Sequence, residues 1–123
     1  MLIYLNDYYM QVKKAVIIAA GFGTRFLPAT KAQPKELMPI VDKPVLEFIV
    51  EEMIDSGIKE IIFVVNKNKI AIENHFDRLF ELEYTLEKSN KMHLLEKIKA
   101  IHDKIKIAYV RQWAPLGTAH ALL

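Results

Sequence analysis

The chain has 123 residues, 52% of them hydrophobic and 26% charged, which suits one small soluble globular domain. Its net charge of +2 is too small to imply a nucleic-acid or membrane partner, and no apolar run approaches the ~20 residues of a membrane helix. The absence of cysteine excludes disulfides, thiolate catalysis and cysteine metal sites, and is compatible with a cytoplasmic location.

The start, Met1 to Asp7, has no cationic leader and too short an apolar stretch for a signal peptide. Met10-Gln11-Val12-Lys13-Lys14 reads as a natural beginning, so residues 1–10 are expected to form an extension and 11–123 the domain. The alternative is an ordered arm that packs its tyrosines on the domain. Val16 to Ala19 is a continuous apolar run, the pattern of a strand buried on both faces. Between Gly21 and Lys43, Pro28, Pro34 and Pro39 forbid a long helix, and a short extended piece is expected at Leu37 to Val41. Pro44 suits a helix start. Leu46, Ile49, Val50, Met53 and Ile54 then recur at helical spacing until Gly57. Glu60 to Val65 is the second strand. Helices are expected at Ala71 to Phe76, from Asp77 to about Ser89 with a solvated charged face, and under the stripe Met92, Leu95, Ile98 and Ile101, which reads as core. Ile105 to Val110 is the third strand. Pro115-Leu116-Gly117 turns the chain, and Thr118 to Leu123 begins another helix.

Strands alternating with helices predict an α/β fold, a Rossmann-like, mostly parallel sheet flanked by helices with right-handed crossovers. Ligands of such sheets sit at the carboxyl ends of the strands. Three loops meet there, after Ala20, Val65 and Val110. The first, Gly21-Phe22-Gly23-Thr24-Arg25, has glycines that let backbone N–H groups approach an anion. Arg25 and Lys35 can add full positive charges on that anion. The loop is not a dinucleotide fingerprint, because Phe26 stands where the third glycine belongs and Asn66 and Lys67 where the acidic residue belongs. It is not a Walker loop either, since no Gly-Lys-Ser/Thr follows. In the third loop Gln112 carries an amide with one donor and one acceptor end, which complements the imide edge of uracil. His75, His93, His102 and His120 show no metal-ligand spacing and read as surface or packing residues.

The run from Ala19 to Glu36, spelled Ala-Ala-Gly-x-Gly-Thr-Arg-x-Leu-Pro-Ala-Thr-Lys-Ala-x-Pro-Lys-Glu, resembles the signature loop of the sugar-1-phosphate nucleotidyltransferases, and among them the bacterial UTP–glucose-1-phosphate uridylyltransferases. The segment Ile72-Glu73-Asn74-His75-Phe76-Asp77, with Phe80 to Glu83 and Leu86 to Lys88 after it, is similar to the insertion of that subfamily. Two departures stand out. Leu116-Gly117-Thr118-Ala119-His120 replaces the usual Leu-Gly-x-Gly-His, and Ile18 stands where proline is common. Trp113 has no explanation beyond a stacking or capping surface.

The resemblance implies an N-terminal part of a nucleotidyltransferase (GT-A-like) fold. It implies that UTP and glucose 1-phosphate are converted to UDP-glucose and pyrophosphate with Mg²⁺. It implies that Ala20, Gly21, Gly23, Thr24, Glu36, Gln112 and Gly117 bind the nucleotide, that Arg25 grips the triphosphate and stabilises the leaving pyrophosphate, and that Lys35 neutralises the phosphates during transfer. The family's metal and sugar ligands would lie beyond Leu123. The chain alone is therefore expected to be incomplete and inactive, with an unpaired strand edge, and its expected partners besides the substrates are a complementing chain or further copies in a homo-oligomer. The other reading is a non-catalytic nucleotide-binding piece.

Overall fold

A computed structural model describes residues 11–114 and 116–123, so the expected extension at 1–10 lies outside the described residues. In chain order the elements are β1 (Lys14–Ala19), β2 (Pro39–Ile40), β3 (Lys43–Pro44), α1 (Val45–Asp55), β4 (Glu60–Val65), α2 (Ile70–Phe76), α3 (Phe80–Lys88), α4 (Met92–Lys99), β5 (Lys106–Arg111) and α5 (Thr118–Leu122). Short 3₁₀ turns occupy Thr24–Phe26, Lys35–Leu37 and Lys67–Lys69. The expected extended piece at Leu37 to Val41 is thus the end of a 3₁₀ turn followed by β2, which pairs with β3 in a small antiparallel ribbon.

β1, β4 and β5 form a parallel sheet with β4 in the centre, as the strand–helix alternation predicts. Ala15, Ile61 and Ile107 lie side by side across it, as do Ile17, Phe63 and Tyr109. Because side chains alternate along a strand, these positions share one face. That face meets Leu46 and Val50 of α1, Ile72 and Phe76 of α2, and Ile101 and Ile105, in one continuous core. Full burial of each such aliphatic side chain is worth roughly 1.5–3 kcal/mol. The Phe63 ring stacks against Phe76 at 5.3 Å and Tyr109 at 5.6 Å between centroids. Burial, with help from the charges of Glu73 and Asp77, pushes the Tyr109 hydroxyl up to about 12.

The opposite face corrects the expectation of a first strand buried on both sides. Val16 remains 45% exposed, Ile18 37% and Val110 52%. Both crossovers step the same way across the sheet, from β1 to β4 and from β4 to β5. Right-handed connections running in one direction lay their helices on one face. Val64 alone is well covered on the other side, flanked in register by Ile18 and Val110.

α1 forms where Pro44 supplies a fixed φ just before the first turn and Leu46 and Val50 fall one turn apart on the buried face. It ends at Ser56 and Gly57. Gly57, at φ 89°, lets its own N–H reach the Ile54 carbonyl and the Ile58 N–H reach that of Met53. The single helix expected from Asp77 to Ser89 begins only at Phe80. Asp77 is extended and accepts a bond from the Arg78 N–H, which stops α2 and delays α3. The charged face of α3 is not wholly solvated either. Glu83 is buried, and both its oxygens are held by Arg78, at 3.1 and 2.6 Å. That guanidinium holds the Glu83 carboxyl below the usual carboxylate range. Of the stripe read as core, Leu95 and Ile101 are buried, whereas Met92 and Ile98 are 45% and 40% exposed. Among the described residues no helix is long and apolar enough to cross a membrane.

Candidate functional site

Parallel strands deliver their loops to one end of the sheet, and the three loops singled out in the sequence are there. Residues 21–37 leave β1 and fold back on themselves. Gly23 adopts φ 64°, a left-handed conformation that favours glycine, and caps the 3₁₀ turn Thr24–Phe26. The Thr30 hydroxyl donates to the Gly23 carbonyl oxygen at 2.6 Å, closing the loop across seven residues. A Cβ on Gly23 would lie 3.3 Å from Thr30 Cβ and Cγ2 and 3.5 Å from Lys35 Cβ. The stem of Lys35 therefore stands directly beside the glycine turn. Lys35 and Arg25 are both exposed, and among the described residues no carboxylate pairs with either. Two unneutralised cations flanking a glycine turn leave a net positive potential there for an anion to answer.

Two buried side chains from the loop after β4 hold this arrangement. The Asn66 amide donates from Nδ2 to the Ala20 carbonyl at 2.7 Å, and its Oδ1 accepts from the Asn68 N–H at 2.9 Å. Lys69, only 4% exposed, places Nζ 2.8 Å from Glu36 Oε2. Glu36 thus turns its carboxylate inward to Lys69 while its neighbour Lys35 faces solvent. Sequence reading passed over Asn66, Lys69 and Thr30. Asn66 had a legible signal, a capping residue at a strand end followed two positions on by Asn68. The pairing of Lys69 with a carboxylate 33 positions away had none.

The third loop approaches from the far side of β4. The Gln112 N–H donates to the Val65 carbonyl at 2.7 Å, extending the sheet register by one residue, and the Gln112 side chain is buried. Its Nε2 lies 3.0 Å from His120 Nδ1 and 3.5 Å from the Gly117 carbonyl oxygen. Gly117, at φ 89° and ψ 172°, makes the sharp entry into α5 that brings His120 back to Gln112. His120, read as a surface or packing residue, is exposed, and its ring lies within hydrogen-bond distance of the glutamine amide. Trp113 beside it is 84% exposed. Ala20 at the end of β1, Asn66 at the end of β4 and Gln112 at the end of β5 therefore form a row across the sheet. The cationic turn lies at one end of that row and the amide at the other.

Among the described residues no three His, Asp or Glu side chains come together in a way that could hold a metal ion, and Glu36 already holds Lys69.

Residues 14–123 match the Nucleotidyl transferase family. A UTP–glucose-1-phosphate uridylyltransferase of Bacillus subtilis is 55% identical over 113 residues, which are 92% of this chain and 38% of the relative. A putative enzyme of the same name from Methanocaldococcus jannaschii is 54% identical over 112 residues, 91% of this chain and 40% of the relative. Among solved structures, the UTP-bound UDP-glucose pyrophosphorylase of Acinetobacter baumannii superposes with a TM-score of 0.86 at 49% identity, over 90% of this chain and 39% of that one. A UDP-glucose pyrophosphorylase complexed with UDP-glucose superposes with a TM-score of 0.74 at 40% identity, again over 90% of this chain and 39% of the other. The chain thus spans about two-fifths of the length of these relatives.

Proposed function

Because the chain belongs to the nucleotidyl transferase family, we propose that it carries the nucleotide-binding part of a UTP–glucose-1-phosphate uridylyltransferase. The observation that carries the reading is the juxtaposition of an exposed, unneutralised Arg25 and Lys35 with the Gly23 turn, in line across the sheet with the buried amide of Gln112. The turn takes the triphosphate and the amide takes the base. Ala20, Gly21, Gly23 and Thr24 line the approach to the nucleotide, Glu36 braces it from behind through Lys69, and Gly117 closes the base side.

In the reaction proposed, a phosphate oxygen of glucose 1-phosphate attacks the α-phosphorus of UTP. A new P–O bond forms, the bond from the α-phosphorus to the bridging oxygen breaks, and pyrophosphate leaves. The attacking oxygen is already an anion and needs no general base. The work left to the protein is positioning and neutralisation of charge. Arg25 is suited to the leaving pyrophosphate because its guanidinium can bind two oxygens at once, and Lys35 supplies a compact charge nearer the transferred phosphoryl group. In this proposal the ligands of Mg²⁺, like those of the sugar, belong to the part of the relatives' length that this chain does not cover. That coverage also favours a second reading, in which the chain by itself binds nucleotide without turnover and transfers only when the remaining polypeptide is supplied, covalently or as a partner. A cytoplasmic location and the absence of nucleic-acid or membrane partners are part of the same proposal.

The test uses Trp113, the chain's single tryptophan and an exposed neighbour of Gln112, as a fluorescence reporter of UTP binding, alongside an assay for UDP-glucose from UTP, glucose 1-phosphate and Mg²⁺. UTP is expected to bind, and Arg25→Ala or Lys35→Ala to weaken it by up to about 3 kcal/mol, the scale of one well-placed charged donor. Binding without turnover selects the second reading. Equal binding of all four nucleoside triphosphates would sink the base-reading role of Gln112.

A further inference from the structure

Gln112 is only 7% exposed, and its amide is placed by two groups that do not act alike. The Gly117 carbonyl oxygen, 3.5 Å from Nε2, can only accept, so the end of the amide turned toward it is the NH₂ end. His120 Nδ1, 3.0 Å from the same nitrogen, must then accept as well, because a proton on Nδ1 would confront an amide N–H. His120 is therefore the neutral tautomer that carries its proton on Nε2. A separation of 3.0 Å is a full hydrogen bond, whereas 3.5 Å is the weak limit of one. One amide hydrogen is committed to His120 and the other is held loosely. Gln112 Oε1 accepts no hydrogen bond among the described residues.

We infer that His120 is a specificity-determining positioning residue: by accepting from Gln112 Nε2 it decides which end of the amide meets the base. The amide so held presents a carbonyl oxygen and one available N–H. That pair complements a pyrimidine with an imide N–H beside a carbonyl, as in uracil. It opposes cytosine, whose ring nitrogen accepts and whose neighbouring amino group donates. Without His120 the amide is free to turn over, and the two bases become nearly equivalent to it. The inference rests on the proposal that Gln112 faces the base, and it adds the residue that makes the choice.

Two measurements test it. In ¹⁵N NMR of the labelled chain at a pH where the imidazole is neutral, Nδ1 of His120 is expected to be unprotonated and Nε2 protonated. The opposite tautomer would overturn the inference whether or not nucleotide binds. In Trp113 fluorescence titrations, His120→Ala is expected to narrow the ratio of UTP to CTP affinity about tenfold, the worth of one hydrogen bond. His120→Asn keeps an acceptor oxygen and is expected to retain most of the ratio. Loss of both affinities in equal measure, with the ratio unchanged, would mean that His120 only supports the fold. Gln112→Ala separates the two levels. If it too leaves the ratio unchanged, the base-reading role itself fails. If it collapses the ratio while His120→Ala does not, only the role of His120 fails.

Discussion

The loop after β1 and the loop after β5 leave the same end of the sheet but are held in different ways. The first is stapled by polar bonds from distant parts of the chain, the buried one from Asn66 to Ala20 and the part-buried one from Lys69 to Glu36, and by Thr30 to Gly23 within it. Among the described residues the second is held by the Gln112 N–H bond to Val65 and by local contacts, chiefly those of the Gln112 amide with Gly117 and with His120, eight residues on. The chemistry proposed for each accounts for the contrast. Two cations must be kept at a fixed distance from one triphosphate, and like charges do not hold themselves together, so the backbone beneath them is braced from below. A base is read by a single amide, and orienting that amide requires only its own neighbour.

The contrast is broken most severely by Lys69→Met. It leaves the half-buried Glu36 carboxylate, whose side chain is 14% exposed, without its partner, and losing one member of such a pair is expected to cost up to about 3 kcal/mol. Chemical denaturation would measure the loss, and the double variant Lys69→Met/Glu36→Leu is expected to recover much of it, because no buried charge is then left alone. If the single variant were as stable as the parent, the staple would carry no weight. Gly23→Ala is expected to cost about 1–2 kcal/mol, since an alanine at φ 64° is strained and its Cβ would press on Thr30 at 3.3 Å. UTP titration should show weakened binding in this variant with the preference for UTP over CTP kept, because the base loop is untouched. A changed preference would mean that the two loops are coupled.

The smallest effect expected is one of pH, and it lies outside both loops. Arg78 lowers the folded-state pKa of Glu83 below its unfolded value, so this pair stabilises the fold fully above the ordinary glutamate pKa of about 4.3, and the contribution fades as the pH falls through the lower folded value. Thermal melts between neutral pH and about pH 3 should show that acid-dependent part removed by Glu83→Gln, since the amide cannot lose a proton. An unchanged pH profile in that variant would refute the coupling.

Most of the fold was legible along the chain. The strands read at Val16 to Ala19, Glu60 to Val65 and Ile105 to Val110 fall within one or two residues of those formed, and α1 read from its spacing and the flanking Pro44 and Gly57, because these signals are local. The glycine turn, the two cations and the buried glutamine were likewise visible as residue types in order. Hidden were the facts that depend on which segments meet. The spelling of β1 suits a strand covered on both sides, yet Val16 and Ile18 face outward, because the direction of the two crossovers, and not the strand's own composition, decides where helices lie. The break between α2 and α3 turns on one side-chain bond at Asp77.

By itself, then, the amino-acid order determined the α/β class, the parallel sheet and the order of the glycine turn and its two cations, all of which rest on interactions within a few residues or on a period that a strand or helix imposes. Only the tertiary structure decided that Asn66 grips Ala20, that Lys69 draws Glu36 inward beside an exposed Lys35, and that His120 comes within 3.0 Å of the Gln112 amide. A buried polar group must find a partner, and nothing in one-dimensional order says which of the many candidates the folded chain will bring within 3 Å of it.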